Sequence, residues 1–423
     1  MAKTVPLDAA TLGWARELFG RYYRATPVEA PERLARRELA AFPFAETTTM
    51  RRHTTVPSAE ALVGYLRETV PRHVYYSSAY YRRPAEPTMA AKEWLGADLI
   101  FDLDADHLRG AEALDYAGQL RLVKQRLLDL VDDFLVRDLG IGTATTSFVF
   151  SGGRGYHVHV RDERFLTLSS PERREIVDYV LGTGVEPLAA FEEVREDVRS
   201  GRTLGAADDD PGIERRRGHT ARSFRLAPAD APGWRGRTTR AVDRLLDRWS
   251  RDGVAVAVAE MESWGIPTGP ARRWAKRLLE HGRASRIRAT GALDVFPPGE
   301  SPRDFLEAVV RHAAVEVQAE TDAPVTTDIH RLIRLPGSLH GGTGFRVVPL
   351  RREDVDAFDP FRDAWLDGAI APPTTAVTIL SEVRYPFPGG ELHRVAGATD
   401  ELPTPQALFL VLRGEAALRP SPG

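Results

Sequence analysis

The sequence predicts an α+β protein, and three observations carry that expectation. Apolar residues recur at helical spacing early in the chain, short alternating β runs end in polar clusters in the middle, and β-like composition returns after a long arginine-rich interval. That order describes a mixed sheet core flanked by helices and interrupted by a mostly helical inserted subdomain, not a regular βαβ series. Leu12, Trp14, Ala15, Leu18 and Phe19 form the first helical stripe, and Leu62, Val63 and Leu66 follow an N-cap at Ser58. Residues 97–104 read as a strand and 120–136 as a helix; 146–150 and 156–160 read as strands joined by the tight turn SGGRG. Ser170, Pro171 and Glu172 open a helix whose stripe is Ile176, Val177, Val180 and Leu181 and whose stop is Gly182. From 194 to 288 the composition turns irregular, with Asp208, Asp209 and Asp210 clustered among Pro and Gly and with helical pieces at 242–249 and 271–279. Ser301, Pro302 and Asp304 cap a further helix, after which 325–335 and 345–350 are β-like. The boundaries drawn are a core over 1–165 and 290–352, an insertion over 166–289, and a C-terminal extension over 353–423 packed on the core.

The chain has 423 residues, 43% of them hydrophobic and 28% charged, as in a soluble globular protein with a full core. A net charge of −3 does not advertise a nucleic-acid binder, yet a basic groove can coexist with acidic helices elsewhere. With no Cys, disulfides and Cys-ligated zinc or iron–sulfur sites are excluded, so carboxylates or imidazoles must hold any metal, which points to a hard ion. The first 14 residues lack a secretion-signal pattern and no apolar run approaches the roughly 20 residues of a membrane span, so a cytoplasmic protein is expected.

Three clusters carry candidate chemistry. In DLIFDLDADH, Leu99, Phe101 and Leu103 alternate with Ile100, Asp102 and Asp104, so a strand buries one face and points both carboxylates to the other. Residues two apart on a strand lie ~7 Å apart at their backbones, near enough for their oxygens to serve one or two divalent ions. The bland alternative is the acidic end of a strand entering a solvated loop, which Asp106 would continue. In SGGRGYHVHV, three glycines permit a turn with outward amides, while Ser151, Arg154 and His157 supply a hydroxyl, a planar cation and a donor suited to a triphosphate. His157 and His159 share a strand face, which leaves a His-x-His metal site open, as it does a plain hairpin. The segment TDAPVTTDIHRLIRLPGSLHGGTGF adds Asp322, Asp328, Arg334 and His340, enough to complete a metal site and a phosphate clamp or merely a solvated turn.

FDLDAD, SGGRGYHVHV and TDIHRLIRLPGSLHG resemble, in order and spacing, the three motifs of archaeal/eukaryotic-type DNA primase small subunits. YYSSAYYRRPAEPTM and LPTPQALFLVLRG look like euryarchaeal members, so the resemblance covers nearly the whole chain. It implies a primase-type core, Mg²⁺ or Mn²⁺ bound by Asp102, Asp104 and Asp322, and a nucleotide's phosphates held by Ser151, Arg154, His157, Arg334 and His340. Arg37, in RRELAAFPF, resembles a further nucleotide-contacting position, although Leu39, Ala40 and Ala41 depart from the family pattern. Many relatives carry a Cys/His zinc knuckle after the carboxylate pair, and this Cys-free chain cannot. The resemblance also implies a primase large subunit, single-stranded DNA template and nucleoside triphosphates as partners. The activity expected is synthesis of short primers. A repair- or plasmid-type polymerase of the same superfamily, a metal-dependent phosphohydrolase using Asp102, Asp104, His157 and His159, and a DNA-binding scaffold are the rival readings.

Overall fold

The computed structural model describes residues 7–45, 49–186, 191–197, 220–279, 283–291, 307–309, 312, 321–366 and 371–419, with the backbone alone at 191–197 and 220–224. The Asp208–Asp210 cluster and the Ser301 to Asp304 cap lie outside those residues. The chain divides into two compact units, Met1–Leu181 with Ala319–Gly423, and Gly182–Gln318.

Helix Ala9–Ala25 opens the first unit, with the Asp8 carboxylate accepting the Thr11 N–H at 2.7 Å. Its buried residues Ala15, Leu18, Phe19, Tyr22 and Tyr23 join Leu62 and Leu66 of helix Ala59–Thr69, which Ser58 caps. The strands follow in order as β1 (Leu39–Phe42), β2 (Arg51–Thr54), β3 (His73–Ser77), β4 (Ala79–Tyr81), β5 (Trp94–Ala97), β6 (Leu99–Asp104), β7 (Thr146–Phe150) and β8 (Gly155–Val160). In the second unit come β9 (Phe191–Asp197) and β10 (Thr220–Leu226), and the first unit resumes with β11 (Leu332–Arg334) and β12 (Val348–Leu350). The C-terminal strands are β13 (Thr374–Ile379), β14 (Val383–Phe387), β15 (Gly390–Arg394), β16 (Thr399–Pro403) and β17 (Ala416–Leu418).

Two antiparallel four-stranded sheets build the core, ordered β11-β3-β1-β2 and β12-β7-β8-β6. Ile100 of β6, Val74 and Tyr76 of β3 and Ile333 of β11 pack in one apolar cluster with the two N-terminal helices, so this core ties the sheets together. After the second sheet the chain adds β16-β13-β17, the β14–β15 hairpin and helix Thr404–Leu412. The mixed α+β class read from the sequence is therefore the observed one.

Several elements depart from expectation for identifiable reasons. The strand expected over 97–104 breaks at Asp98, whose carboxylate is drawn into a buried ion pair with Arg37 at 2.8 Å, leaving β5 and β6 on either side. The helix expected over 120–136 begins earlier, at Tyr116, and widens into a π-helical stretch over Leu130–Val136. The β-like reading of 325–335 holds only for Leu332–Arg334, because Ala323–Thr327 is a short helix. Its β-branched residues suggested a strand, but Pro324 sits in the first helical turn and Val325 and Thr326 are buried where this helix meets helix Ser170–Leu181.

The second unit packs helices Gly233–Asp252, Val254–Ser263, Thr268–Leu279 and Arg283–Thr290 around Leu245, Trp249, Met261, Ala275 and Ile287. Among the described residues no helix is long and apolar enough to cross a membrane.

Candidate active site

Pairing of β6 with β8 sets the site's register: Asp102 lies opposite His157, Asp104 opposite Gly155, and Ile100 opposite His159. The same strand face thus starts in the core at Ile100 and His159 and ends at two carboxylates in a cleft of about 740 Å³, a size in the usual range for small-molecule sites. The third acid arrives from 220 residues further along. The N–H of Asp322 donates to the Asp102 carbonyl at 2.9 Å and the Thr321 hydroxyl to the same oxygen at 3.1 Å, pinning this segment to β6. Asp322 opens helix Ala323–Thr327 without a side-chain cap bond, which keeps its carboxylate out of the helix end. It stands beside Asp102 without lining the cleft itself.

Asp102 is buried beside two further acids. Burial, then Asp104 and then Asp322, push its pKa up to about 7 against the opposing pull of Arg331 and Arg334. Among the described residues no three His, Asp or Glu side chains stand as a ready-made ligand set. The donor chemistry fits a hard divalent ion nonetheless, because a bound cation would relieve the carboxylate repulsion that adds to burial in raising Asp102. His157 Nε2 is 3.4 Å from Asp102 Oδ1, yet burial, followed by Arg334 and Arg331, lowers its pKa to about 3, so it faces the acids as a neutral imidazole. The Arg154 guanidinium bonds Asp106 and lies 3.9 Å from Asp104.

The glycine turn differs from the expected cradle. Ser151 Oγ accepts the N–H groups of Gly153 at 3.3 Å and Gly155 at 3.2 Å, so those amides point into the turn and not outward. Glycine is needed here for close approach: a Cβ on Gly155 would sit 2.6 Å from the Leu103 carbonyl oxygen, and Gly152, at φ +75°, abuts the His340 side chain. Gly155→Ala is therefore expected to force β8 from β6 beside Asp104 and to cost about 1–3 kcal/mol, read as a lowered midpoint in chemical unfolding. Arg334 on β11 places Nη1 2.8 Å from His73 Nδ1 with its guanidinium over Tyr75. His340 follows in a turn where its Nδ1 accepts the Gly342 N–H at 3.2 Å, with the Thr343 hydroxyl 3.1 Å away.

The family description for the DNA primase small subunit matches residues 101–352, which span the carboxylate strand, the glycine turn and the Arg334–His340 segment. The chain is 41% identical to the DNA primase small subunit PriS of Methanocella arvoryzae, covering 98% of this chain and 100% of that one. It is 39% identical to the PriS of Methanothrix thermoacetophila over 97% and 99% of the two chains, and 36% identical to that of Halobacterium salinarum over 97% and 99%. The chain belongs to the DNA primase small-subunit family.

Within this primase small subunit the fold gathers Asp102, Asp104, Ser151, Arg154, His157, Arg334 and His340 around one cleft, with Asp322 alongside. Arg37 is not brought there. It is fully buried and donates to the carbonyls of Glu32, Ser77 and Ser78, to the Tyr80 hydroxyl and to Asp98, so its guanidinium holds the interior together and has no access to a nucleotide. His159 is likewise internal, stacked on Tyr76 at 6.2 Å behind Ile100, which removes the His-x-His pair as a metal site. Asp328 accepts the His330 N–H at 2.8 Å in its own turn, leaving Asp322 as the acid at β6. Sequence reasoning missed Arg331 and Arg413, both lining the cleft, and treated Asp106 as solvated although it fastens Arg154. The position of Arg331 within the third motif was a usable signal, as was that of Arg413 in the family-like stretch LPTPQALFLVLRG.

Proposed function

We propose that this chain is the catalytic subunit of a DNA primase, joining nucleoside triphosphates into short RNA primers on single-stranded DNA. The observation that carries the reading is the main-chain bond from Asp322 to Asp102, which assembles three acids from distant segments beside a cleft of nucleotide size. Asp102, Asp104 and Asp322 would hold Mg²⁺ or Mn²⁺, which when bound lowers the pKa of an attacking 3′-hydroxyl and neutralises charge on the departing pyrophosphate. Arg154, anchored by Asp106, and Arg334, braced on His73 and Tyr75, orient the phosphates with cations already fixed in place. Ser151 takes two turn amides on its oxygen and so keeps its own hydroxyl proton to donate. His340, whose Nδ1 accepts the Gly342 N–H, carries its ring proton on Nε2 and is a neutral donor. A large subunit as heterodimeric partner follows from the relatives' designation as small subunits.

The test is to incubate the purified chain, with and without its co-purified large subunit, with single-stranded template, ribonucleoside triphosphates and Mn²⁺, and to size the products. Short chains begun without a pre-existing end are expected, and template binding should weaken with salt as phosphate contacts release counterions. Extension of supplied ends with no new starts would instead identify a repair-type polymerase, and release of mononucleotides from DNA a phosphohydrolase.

Ion binding should carry a pH signature. Asp102 must lose a proton that it holds up to about 7, so Mn²⁺ affinity should fall about tenfold between pH 8 and pH 6. Calorimetric titration at the two pH values checks this, and an affinity independent of pH would place the ion elsewhere.

A further inference from the structure

The cleft receives one cation from outside the family-matched residues 101–352, and that cation is not used by the chemistry described above. Arg413 caps helix Thr404–Leu412, which reaches the site because Phe409 packs on Phe345 at 5.0 Å and Leu412 enters the cleft wall. Gly414, at φ +75°, then turns the backbone so that Glu415 comes back beside Arg413. The guanidinium is gripped on three sides. It lies 4.3 Å over the Tyr116 ring, 5.3 Å from Phe409 and 5.7 Å from Tyr385. Its Nε donates to the Tyr385 hydroxyl at 3.1 Å and to Glu415 at 3.0 Å, and Nη2 reaches Glu415 at 2.9 Å. Nη1 makes no hydrogen bond among the described residues.

An arginine held this firmly by one carboxylate and three rings has lost its side-chain entropy before any ligand arrives, which is the condition for a strong phosphate contact. Tyr116 extends the arrangement, since its hydroxyl donates to the Gly153 carbonyl at 2.7 Å and couples the Arg413 platform to the glycine turn that carries Arg154. We infer that Arg413 is a phosphate-binding residue of this cleft, so that the C-terminal segment 404–418 completes the nucleotide site from outside the three motifs. The inference rests on the cleft being the nucleotide site. Its ligand is the triphosphate tail, because the fixed cation serves a polyanion and nothing in the arrangement reads a base.

The experiment is equilibrium binding of ATP and of AMP to the full chain in Mg²⁺, with unfolding temperatures as the control. Arg413→Met should weaken ATP about tenfold, the value of one charge-assisted hydrogen bond, and leave AMP within twofold. Arg413→Lys, which keeps the charge and loses the fork, should fall between the two. Glu415→Gln loosens the carboxylate hold that pre-organises the guanidinium and should weaken ATP by less than Arg413→Met does, again leaving AMP within twofold. In steady-state primer synthesis the Arg413→Met effect should appear in KM for the triphosphate and not in kcat. If the pair only pins the C-terminal helix, Arg413→Met and Glu415→Gln will lower the unfolding temperature together and weaken ATP and AMP alike, and the inference fails. If the unaltered chain binds ATP no better than AMP, it is the nucleotide-site reading that fails.

Discussion

Asp104→Asn should abolish dinucleotide synthesis, lowering the rate at least about a thousandfold, while leaving the fold intact. The size follows from the several kcal/mol by which carboxylate-held ions stabilise transferring phosphate, at roughly 1.4 kcal/mol per factor of ten. The fold survives because Asp104 is one-third exposed and its structural contact is an Oδ1 that accepts the Asp106 N–H at 3.0 Å, which an amide oxygen reproduces. Dinucleotide yield with Mn²⁺, alongside an unfolding curve, checks both halves. Near-normal yield from this variant would remove the carboxylates from the reaction.

Arg37→Met should do the reverse, unfolding the protein before it touches binding. Both Arg37 and Asp98 are fully buried, so removing the cation leaves the carboxylate with the Tyr80 hydroxyl and Arg161, at 3.7 Å, as its remaining side-chain contacts, while Arg173 stays bonded to the Asp98 carbonyl at 2.9 Å. Losing one member of a buried pair costs about 3–5 kcal/mol, a large share of the stability of any domain. The measurement is the denaturation midpoint of the full chain, and Asp98→Asn added to Arg37→Met should return part of the loss. A variant as stable as its parent but with a weakened grip on triphosphate would put Arg37 back among the nucleotide contacts.

These two arginine and aspartate positions show how far a one-dimensional reading reaches. Asp102 and Asp104 were legible because alternation along β6 is local: a strand that buries Leu99, Phe101 and Leu103 must present the intervening residues together. The turn at Gly152 to Gly155 was legible for the same reason, although the direction of its amides was not, since Ser151 Oγ competes for them from within the turn. Arg37 misled because it was assigned from its resemblance to a family position, which says nothing of burial, and the carboxylate that makes its burial tolerable lies 61 residues away. The helix at Ala323–Thr327 misled because β-branched residues favour strands until packing against a neighbouring helix outweighs that weak preference.

By itself the sequence determined the residue types of the site, the α+β class, the exclusion of thiol-held metals and, through three spaced motifs, the family. These depend on local periodicity and on chemistry that each side chain carries anywhere. Tertiary structure alone decided that Asp322 rests on the Asp102 carbonyl, that Arg37 faces inward, and that Arg413 enters the cleft from the C-terminal helix. Those outcomes depend on which distant backbone groups and apolar faces satisfy one another, and hydrogen bonding and burial are settled between segments that no local pattern relates.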